Sequence, residues 1–253
     1  MTTLPLDELN PAQRDAVTTT EGPLLVLAGA GSGKTRVLTY RIAHLVRDRG
    51  VSPAAVLAIT FTTKAADEMR ERLETLIGAA ARPMWVMTFH AFCVRILRAD
   101  GARLGFTRSF TIYDDDDTRR LLASVAAELD LDPKRYPPKA IANRISAAKN
   151  ELIGPVEYES RATLPPEKVT ARAYHLYQQR IAAANAMDFD DLLVNADRLL
   201  REHPEVRDKL AQHLLERAKA AAHPEPQAAP AGDRPGDGAG ARADPGDVQR
   251  VRR

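Results

Sequence analysis

Several features are scarce in this sequence, and each scarcity excludes a class of protein. The single cysteine, Cys93, cannot form an internal disulfide, which excludes a disulfide-stabilised fold. The N-terminus lacks the basic start and apolar core of a signal peptide, and the longest apolar run, Pro23–Ala30, is shorter than the roughly 20 residues of a membrane helix. Lysine and arginine number 36 against 34 acidic residues, so the net charge of +2 gives no general attraction for polyanions. We therefore expect a soluble cytoplasmic protein with no membrane contact.

The first hundred residues alternate between strand-like and helical patterns. The apolar run Leu24–Ala28 predicts a strand buried on both faces, and the glycine-rich turn after it leads into a helix over about Lys34–Arg47. Two further rounds follow, with strand-like segments at Ala55–Thr62 and Met84–Thr88 and helical segments at Lys64–Ile77 and Ala91–Leu104. This alternation is typical of a parallel sheet, so the predicted fold class is α/β.

After about Gly105 the pattern becomes helical, without convincing strands between the helices. The helical segments are Thr118–Leu129, Lys139–Ala148, Pro165–Ala184 and Asp190–Arg201. Prolines and glycines between them, including Gly154 and Pro155, are expected to mark turns. We therefore expect an all-helical insertion at residues 105–185, between a first part at 1–104 and a returning segment at 186–215.

The last 38 residues, 216–253, differ in composition from the rest. Thirty of them are Ala, Gly, Pro, Arg or Asp, and the only large aliphatic residues are Val248 and Val251. Such a segment cannot build a core, so we expect a disordered tail with one further helical turn around Glu216–Ala222.

The run Ala28–Thr35 matches the phosphate-binding P-loop (Walker A) pattern, except that its first position is Ala instead of Gly. Small residues allow backbone N–H groups to surround phosphate oxygens, Lys34 can neutralise the β and γ phosphates, and the Thr35 hydroxyl can coordinate Mg²⁺. The alternative is a flexible glycine turn between a strand and a helix. The order of strand, loop and helix favours a site for a nucleoside triphosphate with Mg²⁺.

Four further motifs accompany this loop in a fixed order: Leu9–Gln13, Thr60–Ala66, Thr88–Phe92 and Asp188–Leu193. Over residues 6 to about 215 the chain resembles the N-terminal part of the UvrD, PcrA and Rep DNA helicases of superfamily 1. The resemblance implies a P-loop NTPase fold, with a first RecA-like domain interrupted by the helical insertion. It also implies a monomeric ATP-dependent 3′-to-5′ helicase that moves on single-stranded DNA and opens duplex junctions in DNA repair or replication.

The resemblance also implies roles for individual residues. Gln13 would read the adenine edge and Arg36 would lie against the base. The nucleotide-binding candidates are Gln13, Ala28, Gly29, Ala30, Gly31, Ser32, Gly33, Lys34, Thr35 and Arg36, of which Lys34 and Thr35 are the catalytic candidates and Thr35 the Mg²⁺ ligand. The candidates for contact with single-stranded DNA are Phe61, Thr62, Lys64, Thr88 and His90.

Each of these roles has a structural alternative. Gln13 could be a solvent-exposed helix residue, Phe61 could cap a strand in the core, and His90 could be a hydrogen-bonded histidine at a helix start. Cys93 is expected to be a packing residue. The acidic groups Asp114–Asp117 and Asp188, Asp190 and Asp191 are expected to cap helices and make structural hydrogen bonds, not to bind metal or catalyse.

ATP hydrolysis in this family needs a second acidic motif, Asp-Glu-x-x-Asp, which this sequence lacks. At the expected distance the chain reads Gln212–Ala218 and runs directly into the tail, from which we hypothesise a truncation or a reading-frame shift near residue 215. No general base is identified. Two alternatives to a helicase therefore stay open: a non-catalytic fragment that binds ATP and single-stranded DNA weakly, and a P-loop kinase, in which the Phe61–Lys64 and Thr88–Phe92 segments have no role.

Overall fold

The computed structural model of the chain describes residues 4–29 and 31–212. Its helices are α1 (Pro11–Thr18), α2 (Lys34–Arg47), α3 (Thr63–Ile77), α4 (Phe89–Asp100), α5 (Asp115–Glu128), α6 (Pro138–Asn150), α7 (Pro155–Arg161), α8 (Pro165–Ala183) and α9 (Phe189–Glu202). Its strands are β1 (Leu57–Thr60), β2 (Trp85–Thr88), β3 (Thr111–Tyr113) and β4 (Ala186–Asp188). Residues 204–212 are also helical. The fold is thus mixed, with small parallel sheets.

Strands β1 and β2 form a parallel pair in which Leu57 lies opposite Trp85 and Thr60 opposite Thr88. Helices α2 and α3 cover this pair, with Met69 and Leu73 of α3 packed into a shared apolar cluster. The predicted helix Lys34–Arg47 is confirmed at both ends. The predicted strand at residues 55–62 is shorter than expected, since a 3₁₀ turn ends at Ala55 and the strand covers only Leu57–Thr60.

A second parallel pair, β3 with β4, joins segments far apart in the chain, with Thr111 opposite Ala186 and Tyr113 opposite Asp188. Helices α4 and α9 pack together beside it around Leu97, Phe110 and Leu192. The expectation that the chain after Gly105 contains no strands is therefore wrong. Each of these strands has three residues, which is too short to show an alternating pattern in the sequence.

Between the two short strands the chain is helical, as the pattern over residues 118–184 predicts. Helices α5, α6 and α8 enclose a core that contains Leu122, Ile145 and Tyr177. Helix α7 was not expected, because Gly154 and Pro155 were interpreted as a turn. Pro155 instead occupies the first position of α7, where its fixed φ suits a helix and its missing N–H has no partner to lose.

The expected strand at Leu24–Ala28 is the main error of the sequence prediction. The segment forms no strand, and Leu25 and Leu27 are 81% and 86% exposed. A buried parallel strand needs hydrogen-bonded neighbours, and within residues 4–29 and 31–212 β1 and β2 pair only with each other. The apolar composition alone therefore does not bring this segment into a sheet.

The predicted tail at 216–253, its helical turn at Glu216–Ala222 and the hypothesised shift near residue 215 lie outside the described residues. In the part of the chain that is described, no helix is long and apolar enough to cross a membrane.

Candidate functional site

The glycine-rich loop leads directly into the N-terminus of α2. Gly31 and Gly33 have φ values of 74° and 82°, and Gly33 is the N-cap residue of the helix. Only glycine adopts this left-handed conformation without strain, so the two glycines set the path of the loop. The first N–H groups of a helix have no partner within it and carry the positive end of its dipole, so this end suits an anion.

Lys34, the first residue of α2, lies across the loop. Its Nζ donates hydrogen bonds to the backbone oxygens of Ala28 at 3.0 Å and Gly29 at 2.6 Å, and the Ser32 hydroxyl donates to the Gly29 oxygen at 2.7 Å. The next residue, Thr35, is exposed in the first turn of α2. An ammonium group and an exposed hydroxyl therefore stand together at the helix N-terminus. Ala30 lies outside the described residues.

Gln13 of α1 lies against the same loop. Its Nε2 donates to the backbone oxygen of Ser32 at 3.0 Å, and its Oε1 accepts from the backbone N–H of Asn10 at 3.1 Å. The φ of Gly33 favours glycine, and a Cβ added there would lie 3.0 Å from Gln13 Nε2, so the Gln13 side chain would have to shift by a few tenths of an ångström. The alternative that Gln13 is merely a solvent-exposed helix residue is therefore wrong, whereas its contact with adenine stays a prediction.

Arg36 lies in the first turn of α2, beside Glu8. Its guanidinium is 2.6 Å from a carboxylate oxygen of Glu8 and lies over the ring of Tyr40, at 5.3 Å from the centroid. The Tyr40 hydroxyl donates to the same Glu8 oxygen at 3.2 Å. The planar guanidinium is thus held at a defined place near the loop, and its other face could stack on a base.

The residues of this region fit a nucleoside triphosphate with Mg²⁺. The two left-handed glycines leave backbone N–H groups free of side-chain crowding, Lys34 supplies a positive charge, and Thr35 supplies a hard oxygen donor of the kind that Mg²⁺ prefers. These observations come from the loop itself and do not depend on the neighbouring strand, which is not formed.

A second candidate surface consists of aromatic side chains. The rings of Phe61 and Phe89 are 5.4 Å apart, and those of His90 and Phe189 are 5.5 Å apart in an edge-to-face arrangement. Phe61 is 88% exposed, and Phe89 and Phe189 are 42% and 44% exposed. We call these four residues the aromatic patch. The alternative that Phe61 caps a strand in the core is wrong.

The pairing of β1 with β2 explains why Phe61 meets Phe89, whereas β4 pairs with β3 in a separate sheet, and the packing of α4 against α9 brings His90 to Phe189. Phe61 follows the last residue of β1, Phe89 the last residue of β2 and Phe189 the last residue of β4. The carboxyl ends of paired parallel strands lie at the same edge of a sheet, where ligands commonly bind. Exposed phenylalanines that are not needed in a core can offer faces for stacking on bases.

The predicted threonine contacts serve the helices of this surface. The Thr62 hydroxyl accepts from the backbone N–H of Ala65 at 3.1 Å as N-cap of α3, and the Thr88 hydroxyl accepts from Ala91 at 3.1 Å as N-cap of α4. Lys64 is exposed in the first turn of α3. Each hydroxyl can still donate its proton, so the prediction that the threonines bind DNA phosphate is compatible with capping.

Sequence reasoning did not single out Phe89 and Phe189 as DNA contacts, although a signal was present. Thr88 and Asp188 each end a strand and cap the next helix, and each is followed by phenylalanine as the first helical residue. In both cases the phenylalanine lies where the chain leaves a strand and starts a helix, and its side chain is partly exposed there. This repeated pattern could have identified both residues.

The acidic segment Asp188–Asp191 is built into a buried ion cluster. Lys149 Nζ is 2.6 Å from Asp188 Oδ2 and 2.8 Å from Asp191 Oδ1, and its side chain is 1% exposed. Burial would raise the pKa of Asp188, but the Lys149 ammonium and several hydrogen bonds hold it below the ordinary value. Burial raises the pKa of Asp191, and the nearby Asp188 carboxylate raises it further, which together outweigh the effect of Lys149. The expected structural role is confirmed for Asp188 and Asp191.

The other expected structural roles are confirmed as well. Asp114 is the N-cap of α5, with its carboxylate accepting from Asp116 and Asp117 N–H groups at 2.9 and 2.8 Å. Cys93 is buried, and burial raises the pKa of its thiol to about 11. Across residues 4–29 and 31–212, no group of three or more His, Cys, Asp or Glu side chains could hold a metal ion.

A cleft of about 430 Å³ lies beside Phe189, between α5, α6 and α9. The charged residues lining it are Asp115, Asp188, Asp190, Arg119 and Lys139. Arg119 is already paired with Asp116 at 2.6 Å. Asp188 is likewise paired with Lys149, which leaves Asp115 and Asp190 against Lys139. This remaining charge is negative, so the cleft does not suit a phosphodiester chain and is not included in the aromatic surface.

The fold and this loop define a mixed α/β protein with a phosphate-loop sequence at a helix N-terminus. Residues 9–216 match the family model described as the UvrD/REP helicase N-terminal domain, and the chain belongs to that family. It is 47% identical over 201 residues to the ATP-dependent DNA helicase PcrA of Bacillus subtilis, and 52% identical over 205 residues to the ATP-dependent DNA helicase UvrD1 of Mycobacterium tuberculosis. PcrA of Staphylococcus aureus is 47% identical over 201 residues.

These alignments cover 79% of this chain but only 27% of the B. subtilis and M. tuberculosis proteins and 28% of the S. aureus protein. The chain thus spans about a quarter of the length of the curated relatives that it matches. The resemblance drawn from the motifs is confirmed at the level of the family.

Proposed function

We propose that this chain forms the ATP- and single-stranded-DNA-binding part of a UvrD-type, ATP-dependent DNA helicase, with a RecA-like nucleotide-binding region around α2. The observation that carries the proposal is the combination, in one folded unit, of a left-handed glycine loop at a helix N-terminus with an exposed aromatic patch at the ends of three strands. The names of the relatives support the same reading, since both PcrA and UvrD1 are called ATP-dependent DNA helicases.

In the nucleotide site, the backbone N–H groups of Gly31–Thr35 and the Lys34 ammonium would hold the phosphates. Thr35 would hold Mg²⁺ through its hydroxyl, and the ion would neutralise charge on the phosphate oxygens. Gln13 would offer its amide to the adenine edge, and Arg36 would stack on the base. Lys34 must then exchange its hydrogen bonds to Ala28 and Gly29 for bonds to phosphate, which couples nucleotide binding to the shape of the loop.

In the DNA site, successive bases would stack on the rings of Phe61 and Phe189, while Lys64 would contact the backbone phosphates. Stacking on an aromatic ring does not depend on base identity, because every base offers a π face. A surface of this kind suits a protein that moves along DNA of any sequence. This agrees with the small overall charge of +2, since affinity would come from stacking at a local patch.

A second candidate function, binding without hydrolysis, is favoured by one observation. Three aspartates in the acidic motifs of the described residues already have structural partners. Asp188 and Asp191 are paired with Lys149, and Asp114 caps helix α5. Hydrolysis would need a carboxylate that holds the metal or orients water. The nucleotide and DNA sites would then act only as a binding unit.

ATP turnover by the purified 253-residue chain, measured with and without a poly-dT oligonucleotide, separates the two functions. A fluorescent ATP analogue, titrated in parallel, reports binding independently of turnover. DNA-stimulated turnover would support a working motor component, and binding without turnover would support the second function. Absence of both nucleotide and DNA binding would contradict the proposal.

A further inference from the structure

A buried network connects the helical region to the first turn of α9. Lys149 of α6 contacts Asp188 and Asp191 at 2.6 and 2.8 Å, and α8 contributes two more donors. The Tyr177 hydroxyl donates to Asp188 Oδ2 at 2.7 Å, and Gln178 Nε2 donates to Asp191 Oδ1 at 2.9 Å. We call these five residues the Lys149 network. Its donors all come from α6 and α8, and its acceptors all come from β4 and α9.

The two carboxylates each use their second oxygen to build the helix start. Asp188 Oδ1 accepts from the Asp191 N–H at 2.7 Å, and Asp191 Oδ2 accepts from the Asp188 N–H at 3.3 Å. This reciprocal capping fixes the first turn of α9. One oxygen of each aspartate therefore shapes the turn, while the other is held by Lys149 and its neighbours.

Phe189 lies inside this turn, between the two aspartates. Its side chain is 44% exposed and contacts the His90 ring edge-to-face at 5.5 Å. Because much of the ring is outside the core, packing alone restrains it weakly. Its direction depends on the backbone of the turn, and the Lys149 network fixes that backbone.

We propose that Lys149 is a positioning residue for single-stranded DNA, which holds Phe189 in the aromatic patch through Asp188 and Asp191. The inference rests on the proposed DNA-binding function of that patch. It makes the helical region, which has no aromatic residue in the patch, a determinant of DNA affinity. A rearrangement of α6 or α8 would reach the DNA surface by this route.

A purely stabilising role does not account for the arrangement as well. A buried ion pair is weak evidence for stability, because desolvation of the charges offsets their attraction and apolar replacements are often tolerated. What such a network does provide is a unique geometry, since each of the two aspartates has a separate partner for each oxygen. The group whose geometry it determines is the turn that carries Phe189.

The test is a double-mutant cycle in the full chain, with anisotropy of a labelled dT oligonucleotide as the readout. Lys149→Met, Phe189→Ala and the double variant are compared with the unsubstituted chain. Loss of one stacked base lowers affinity by about 5- to 150-fold, and this sets the ceiling for both single variants. We expect Lys149→Met to weaken binding several-fold when Phe189 is present and to have no further effect in Phe189→Ala, since the residue it positions is gone.

Two further variants keep the test decisive. Tyr177→Phe removes a single hydrogen bond to Asp188, and it replaces Lys149→Met in the cycle if Lys149→Met does not fold. Lys149→Arg keeps the positive charge, so its affinity for DNA should lie between those of Lys149→Met and the unsubstituted chain. Folding is checked from the fluorescence of the only tryptophan, Trp85. An equal loss of affinity with and without Phe189, or no loss in folded Lys149→Met, would overturn the inference.

The cycle also separates this inference from the proposed function. If Phe61→Ala weakens DNA binding but Phe189→Ala does not, the positioning role fails and the DNA surface stands. If neither phenylalanine affects binding, the DNA surface itself is wrong and the inference fails with it.

Discussion

Replacing Phe61 with alanine should weaken DNA binding without destabilising the fold. The ring is 88% exposed and contacts Phe89 at 5.4 Å between centroids, so little packing is lost on its removal. We expect a change in unfolding free energy within about 0.5 kcal/mol, as for other surface positions. Loss of one stacked base should cost about 1 to 3 kcal/mol of binding free energy, or about 5- to 150-fold in Kd.

The dependence of affinity on salt distinguishes stacking from phosphate contact. Phe61 carries no charge, so Phe61→Ala should lower log K by the same amount at every salt concentration. Lys64→Ala should instead reduce the slope of log K against log salt by about 0.7, the value for one phosphate contact on a single strand. Val156→Ala on α7, an exposed apolar position at 72%, is the matched control and should do neither.

The assay is fluorescence anisotropy of a labelled dT oligonucleotide at four or more salt concentrations, with urea unfolding followed by Trp85 fluorescence. Unchanged affinity in Phe61→Ala would refute the stacking role. A loss of affinity accompanied by a fall in stability of more than 1 kcal/mol would show that the ring is structural, which also contradicts the reasoning.

Two further predictions concern the glycine loop and the buried thiol. Gly33→Ala should cost about 1 to 2 kcal/mol of local strain at its left-handed φ, displace Gln13 and weaken nucleotide binding. In Gly29→Ala, by contrast, the added Cβ meets nothing within 4 Å, so that variant should keep the loop fold. Proton NMR of the Gln13 side chain and nucleotide titration compare the two variants. Burial raises the pKa of Cys93 from 9.0 to about 11, so the stability gained from the neutral thiol is complete below pH 9 and lost as pH rises toward 11. Urea unfolding at pH 8 and pH 10.5 should show a smaller decrease in Cys93→Ala, and an identical decrease would contradict this.

Local signals in the sequence predicted the helices well. Helix α2 begins and ends where its periodicity indicates, because an amphipathic helix depends mainly on residues within a few turns of each other. Strands depend on partners elsewhere in the chain. The apolar run Leu24–Ala28 was therefore mistaken for a paired strand, and β3 and β4, which are only three residues each, were overlooked.

The candidate sites show the same limit. The loop residues Gly31–Thr35 follow from a contiguous motif, and the structure adds the contact with Gln13. The aromatic patch depends on the pairing of β1 with β2 and on the packing of α4 against α9, so only Phe61 and His90 were identified from motifs. Lys149 carries no signal in its own segment, because its partner Asp188 is 39 residues away and only the fold brings the two together.

The most direct test of the central claim is a titration of the full chain with a fluorescent ATP analogue and Mg²⁺, comparing Lys34→Ala with the unsubstituted protein. A lost hydrogen bond to a charged group costs about 1.5 to 3 kcal/mol, so Kd should rise by about 10- to 150-fold. Lys168→Ala, which removes an exposed lysine from α8, should leave Kd unchanged. Equal affinity in Lys34→Ala and the unsubstituted chain would contradict the assignment of the glycine loop as the nucleotide site.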